Sequence, residues 1–160
     1  MQDNAMTENT QNAAQEIELL AFRLGEQEYC VDIMSVREIR GWSRATPLPF
    51  SPGHVKGVIN LRGTVLPVID LAVRLGMPPI EGDERNVIIV VSVNGQTAGL
   101  LVDAVSDILS VARADLQPPP DLTADKESNC ISALTLVDNR LIRMLQLDTV
   151  LPTQQNDTAA

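Results

Sequence analysis

Apolar positions in this chain come in short, regularly punctuated runs. Ile17 to Leu24, Glu28 to Ile33, Gly57 to Leu61, Val65 to Ile69, Val87 to Val93, Thr97 to Val102, Ile131 to Val137 and Leu141 to Gln146 are rich in Val, Ile and Leu and are separated by Gly, Asn or Asp. That composition and punctuation predict β-strands joined by tight turns. Leu71 to Leu75 and Leu147 to Leu151 read as single helical turns that each close a strand. Prolines at 47, 49 and 52, at 78 and 79, and at 118 to 120 mark loops, because proline lacks the ladder donor, and Gly82 to Glu84 forms a polar joint. Many short strands with tight turns indicate a mostly β sandwich or barrel. Residues 1–15 and 153–160 offer almost nothing to bury and are expected to be disordered tails around one folded unit over residues 16–152.

The pattern also repeats. A shift of 69 positions lays Phe22 on Val91, Leu24 on Val93, Val31 on Leu100 and Ile33 on Val102 without a gap. The same shift lays Val36, Glu38 and Ile39 on Val105, Asp107 and Ile108, so a Val-x-acid-Ile segment follows a hairpin twice. A shift of 76 sets Val68, Ile69 and Leu71 on Met144, Leu145 and Leu147. Hairpins of similar length align in part by chance, but the gapless match favours duplication. Each half then reads as hairpin, acidic-apolar turn, hairpin and helical turn, giving two similar small barrels. Neither would have much core alone, so the two should pack together.

One charge interrupts the apolar run GVINLRGTVLPVIDL, residues 57–71. Arg62 and Gly63 fall where two strands must turn, and glycine supplies the positive φ a tight turn needs. An arginine there is either a solvated turn residue or a guanidinium held by a carboxylate to form a recognition surface. Val36, Ile39, Val105 and Ile108, in the repeated acidic-apolar segments, are candidates to line a groove where the barrels meet. Trp42, the sole tryptophan, either covers a barrel edge or anchors an interface.

Charge narrows the partners. The net charge is −9 with only 12 Lys and Arg, which disfavours nucleic acid and anionic lipid surfaces. The longest unbroken apolar run, Val87 to Val91, is far short of the roughly 20 residues that span a bilayer. The start MQDNAMTENTQ lacks a basic-then-apolar signal pattern, so a cytoplasmic protein is expected. Cys30 and Cys130 stand apart in apolar, strand-like settings and read as buried thiols of a reduced compartment.

Catalytic patterns are thin. His54 is the only histidine, and no zinc-ligand spacing accompanies it. No phosphate-cradling glycine loop occurs. Ser51 with His54, or Asp103 with Asp107, are the nearest approaches to a nucleophile–base or acid–base pair. Neither spacing is specific, so a binding module with no enzymatic activity, metal or cofactor is the expectation, and a small β-barrel enzyme using His54 is the alternative.

Several stretches together carry a family resemblance. YCVDIMSVREIRGW (29–42), LPFSPGHVKGVINLRGTVLPVIDL (48–71), AGLLVDAVSDIL (98–109) and PPPDL (118–122) resemble the CheW family of chemotaxis coupling proteins, with the likeness running over about residues 17–151. The NLRG core is the most specific part. The module is shared with the C-terminal regulatory domain of CheA histidine kinases and the N-terminal half of CheV proteins; with one module and no kinase or receiver domain, a stand-alone adaptor is expected. The resemblance implies two packed five-stranded SH3-like barrels, intertwined as subdomains of one domain with short helices, and an adaptor that joins the cytoplasmic tips of methyl-accepting chemoreceptors to a CheA-type kinase, so that receptor state controls autophosphorylation. A module of another chemosensory pathway, serving pili or another output, is the alternative within the family. The family pattern implies a partner surface of Val36, Glu38, Ile39, Arg62, Val87, Val105 and Ile108, with Gly57 and Gly63 shaping the loops, and we expect Glu38 to pair with Arg62. Cys30 and Ala133 stand where the family usually has glycine, and Arg143 and Gln146 where it tends to have an aliphatic residue and an aspartate.

Overall fold

In the computed structural model, residues 15–119 and 130–151 are described. The expected tails, Gln15 apart, and the end of the PPPDL stretch lie outside those residues. Ten strands form: β1 (Glu16–Leu24), β2 (Gln27–Asp32), β3 (Val36–Gly41), β4 (Val55–Leu61), β5 (Thr64–Asp70), β6 (Val87–Val93), β7 (Gln96–Val102), β8 (Ala104–Ala112), β9 (Ile131–Val137) and β10 (Arg140–Leu145). Helical turns α1 (Leu71–Arg74) and α2 (Leu147–Val150) follow β5 and β10, as expected. The strands make two five-stranded sheets, β8-β1-β2-β10-β9 and β3-β6-β7-β5-β4.

The repeat holds at the level of residue register. The shift of 69 carries β1, β2 and β3 onto β6, β7 and β8, and the shift of 76 carries β4, β5 and α1 onto β9, β10 and α2. Parallel pairing sets Val68 beside Gly99 in one sheet and Met144 beside Cys30 in the other, which are repeat-related pairs. The halves are nevertheless exchanged. Each sheet takes its first hairpin from one half and its remaining three strands from the other, so neither half builds a sheet by itself. This corrects the reading of one barrel per half taken from the repeat, and the two barrels are intertwined.

The two Val-x-acid-Ile segments are not turns but the edge strands β3 and β8. A register shift leaves Arg37 unpaired between Val36 and Glu38, and the equivalent shift between Val105 and Asp107 leaves out Ser106. Such β-bulges break the two-residue alternation that marks a strand. Apolar residues three apart, Val36 and Ile39 or Val105 and Ile108, are the result.

Each sheet curls until its outer strands meet. Past the end of β3, Thr46 exchanges two hydrogen bonds with Val58 of β4 (2.8 and 2.9 Å), and past β8, Gln117 does the same with Leu134 of β9 (2.8 and 2.7 Å). We call the β1-containing sheet the first barrel and the β3-containing sheet the second. Alternation along β1 then explains its unbroken apolar run: Leu19 and Ala21 join a cluster with Cys30, Val111 and Ile142, while Leu20, Phe22 and Leu24 join the large cluster shared with the second barrel. Phe22 stacks on Tyr29 across the β1–β2 hairpin, with ring centroids 6.2 Å apart.

Asp70 is the buried charge of the second barrel, at 1% exposure. Its carboxylate caps α1 by accepting from the Val73 N–H (3.2 Å) and holds the loop beyond by accepting from the Ile80 N–H (2.9 Å). Lys56 Nζ lies 3.8 Å from it and donates to the Ile80 carbonyl at 2.6 Å. The repeat mate of Asp70 is Gln146, whose side chain makes no such cap. Cys30, Ala133 and Gln146 are therefore the mates of Gly99, Gly57 and Asp70, and these three family departures all belong to the first barrel.

Cys30 is wholly buried, and desolvation pushes its thiol from an ordinary 9.0 to about 12. The folded chain keeps a proton that the unfolded chain sheds. Stability from this group is thus complete below pH 9 and is lost as pH rises from 9 toward 12. Denaturant titrations between about pH 8 and 11 should show a steeper alkaline loss for the native chain than for Cys30→Ala, and parallel curves would contradict this assignment.

Candidate functional site

The turn between β4 and β5 is built from two residues, Arg62 (φ 51) and Gly63 (φ 86). Two positive φ values are the signature of a type I′ turn, whose twist suits a β-hairpin. The Asn60 carboxamide oxygen accepts the Gly63 N–H at 2.9 Å and fixes it. Other turns with left-handed residues use Asn94-Gly95 and Asp138-Asn139. Asn and Asp tolerate that conformation well, whereas arginine has no such advantage. A charged residue is held in a sparsely populated backbone state here, a condition that clusters at functional sites.

Arg62 reaches the opposite edge of its own sheet. Its Nη2 donates to Oε1 of Glu38 on β3, so the expected pair forms, and it ties the β4–β5 turn to the other outer strand of the barrel. Glu38 also faces Arg40, Nη1 to Oε2 at 3.6 Å, because residues two apart share one side of a strand. One carboxylate thus sits between two guanidiniums. The Arg62 side chain stays 73% exposed against 26% for Glu38, so the outward charge of this station is positive on a chain of net charge −9. The repeat mates of Glu38 and Arg62 are Asp107 and Asp138, two acids, so the ion pair is particular to the second barrel.

The remaining candidates divide by role. Gly57 is structural: a Cβ there would lie 2.1 Å from the Thr46 carbonyl oxygen, the acceptor of the bond that closes the barrel. Gly63 has nothing within 4 Å and is needed only for its φ. Val36, Val87 and Val105 are half-buried against the central cluster. Ile39 and Ile108, at 46% and 60% exposure, point outward from the edge strands of different barrels. The structure therefore gathers Val36, Glu38, Ile39, Gly57, Arg62, Gly63 and Val87 on the second barrel, while Val105 and Ile108 belong to the first. Arg40 was missed in the sequence, although its two-residue spacing from Glu38 would reveal it once β3 is read as a strand.

The weaker chemical candidates have structural duties. Ser51 Oγ donates to the Leu48 carbonyl at 3.0 Å, and the His54 carbonyl accepts from the Asp70 N–H at 2.7 Å. Asp103 accepts from the Gly25 N–H at 2.5 Å at the β1–β2 turn. Trp42 packs on the core with Gly82 against its indole, which makes it an edge cover. Among the described residues no group of three or more His, Cys, Asp or Glu could hold a metal ion, and no helix is long and apolar enough to cross a membrane.

Two packed five-stranded barrels that carry an exposed arginine–carboxylate station define a binding module. The family model of the CheW-like domain matches residues 18–155. A chemotaxis protein CheW of Rhizobium meliloti (strain 1021) is 51% identical over 142 residues, 89% of this chain and 92% of the relative. Chemotaxis protein CheW of Klebsiella aerogenes is 33% identical over 138 residues, 86% and 83% of the two chains. The crystal structure of scaffolding protein TtCheW from Thermoanaerobacter tengcongensis superposes with a TM-score of 0.78 at 32% identity, covering 86% of this chain and 89% of that one. The chain belongs to the CheW-like family and is a non-enzymatic adaptor of the chemotaxis type.

Two stability results should follow. Gly57→Ala should lose on the order of 3 kcal/mol, since a backbone oxygen must move, against about 1 kcal/mol for Gly63→Ala. Arg62→Glu should change stability by less than about 1 kcal/mol, because the ion pair is solvent-exposed. Denaturant midpoints measure all three; equal losses at the two glycines, or a large loss at Arg62, would contradict these roles.

Proposed function

We propose that this chain couples methyl-accepting chemoreceptors to a CheA-type histidine kinase, with Glu38 and Arg62 at the centre of the partner surface. The observation that carries this reading is the ion pair itself. It joins opposite edges of one barrel, contributes little stability while exposed, occupies a disfavoured backbone conformation and is absent from the repeat-related position in the other barrel. Its role is to present the Arg62 guanidinium in a fixed orientation, a geometry suited to a carboxylate or to backbone carbonyls on a partner.

Apolar contacts supply the remainder of the surface. Val36, Val87 and Val105 offer half-buried aliphatic surface, and Ile39 and Ile108 offer exposed side chains. Burying three or four such groups, at roughly 1.5–3 kcal/mol each less the cost of association, gives micromolar affinity, about −8 kcal/mol. Receptor arrays then raise the effective strength by avidity. The adaptor works in the cytoplasm and is held at membrane arrays through its partners.

The test is the autophosphorylation rate of a cognate CheA-type kinase mixed with receptor signalling fragments, with and without this chain. The expected result is a marked change that needs both receptor and adaptor and disappears with Arg62→Glu, while the melting temperature stays nearly constant. No change with a folded chain, or full coupling by Arg62→Glu, would sink the proposal.

A further inference from the structure

Three charged residues form the arginine station, and the first barrel keeps neither of its cations. The mates of Glu38, Arg40 and Arg62 are Asp107, Leu109 and Asp138. Register shows what the middle position suits. Leu109 pairs with Leu19 of β1 and packs on the interior cluster of the first barrel, and Arg40 pairs with Ile88 of β6, the mate of Leu19, in the same relation. An arginine thus occupies a place that the fold elsewhere fills with an aliphatic side chain. It is poorly satisfied there. Arg40 Nε is shut off from solvent with no hydrogen-bond partner among the described residues, and Nη1 stops 3.6 Å from Glu38 Oε2, within ion-pair range but beyond a hydrogen bond. A buried donor without an acceptor costs stability, so packing alone does not account for this side chain.

The station is also incomplete in charge. Two guanidiniums share one carboxylate, and Arg62 has the closer contact with it. A partner takes Arg62 only by displacing Glu38, and a carboxylate competes for a guanidinium far better than a neutral carbonyl does, because charge-assisted hydrogen bonds are the stronger ones. Glu38, only 26% exposed, then loses its donor and needs another. Arg40 is placed to supply it, on the same side of the same strand and facing Oε2 while Arg62 holds Oε1. Resting on the assignment of Glu38 and Arg62 to the partner surface, we propose that Arg40 is a positioning residue that takes over Glu38 when a carboxylate of the partner engages Arg62.

Two measurements on the full chain test this, and only the second needs the partner. Arg62→Gln removes the present donor of Glu38, so Arg40 should close on the carboxylate. Nitrogen-15 NMR should then show proton exchange at the Arg40 guanidinium slowed at least about fivefold against the native chain, and adding Glu38→Gln should abolish the slowing. Calorimetry with receptor signalling fragments next compares Arg40→Leu in the native and in the Glu38→Gln background. Arg40→Leu copies Leu109, so it should keep or raise the melting temperature while weakening binding about tenfold, and it should have no effect on binding once Glu38 is neutral. Arg40→Gln takes its place should Arg40→Leu not fold. Fragments whose tip carboxylates are changed to amides should bind the native chain about tenfold more weakly. An Arg40 signal unmoved by Arg62→Gln, full affinity of a folded Arg40 variant, a loss that persists beside Glu38→Gln, or undiminished binding of the amide fragments would each overturn the hand-over. Failure of the native chain to bind any fragment would instead remove the partner assignment, and the NMR result then decides the hand-over by itself.

Discussion

A five-stranded sheet has two edges, and in this molecule each sheet disposes of both by bending until they touch. The outer strands are joined past β3 and past β8 by a single residue pair sharing two backbone hydrogen bonds. Such closure removes donors and acceptors that would otherwise recruit a foreign strand. It also dictates local chemistry. Gly57 must lack a side chain because Thr46 approaches it, and the bulges at Arg37 and Ser106 give the edge strands the extra bend the curl requires. The contact of Glu38 with Arg62 follows too, since these residues sit on opposite edges of the sheet and meet only because the sheet is rolled.

Duplication usually leaves two copies that drift apart under different demands, and the residue-level mates show the direction of drift. The second barrel retains glycine at 57 and 99, a capping aspartate at 70 and a cation at the tip of its β4–β5 turn. The first has Ala133, Cys30 and Gln146 at those three structural positions and Asp138 at the tip. One barrel thus carries the arginine station, while the other has an acid at the tip of the corresponding turn and pairs the neighbouring Arg140 with Glu28 at 2.9 Å.

Much of this architecture was legible from the residues. Eight strands, both helical turns and the repeat rest on period-two alternation, β-branched composition and turn residues, signals that are local and strong. The pairing of Glu38 with Arg62 was anticipated from the odd charge in an apolar hairpin and from family resemblance. What the residues concealed was non-local. β3 and β8 were hidden because each carries a bulge that converts the alternation of a strand into the spacing of a turn. The exchange of strands between halves was hidden because a repeat shows which segments are alike, not which of them pair. Arg40 was missed as a consequence of misreading β3.

That exchange bears on how the molecule comes into being. A chain leaving the ribosome emits β1 and β2 first, yet their barrel needs β8, β9 and β10; β3, β4 and β5 follow, yet theirs needs β6 and β7. Folding during synthesis is open to the second barrel, whose strands β3 to β7 are consecutive, but closed to the first, which is split around it. The second barrel can assemble only once residue 102 is free, and the first must wait for residue 145. Until then the earliest hairpin, with Leu19, Leu20, Ala21 and Phe22 destined for complete burial, stays without its barrel. The nascent chain is in this respect a client for whatever shields exposed apolar strands at the tunnel exit.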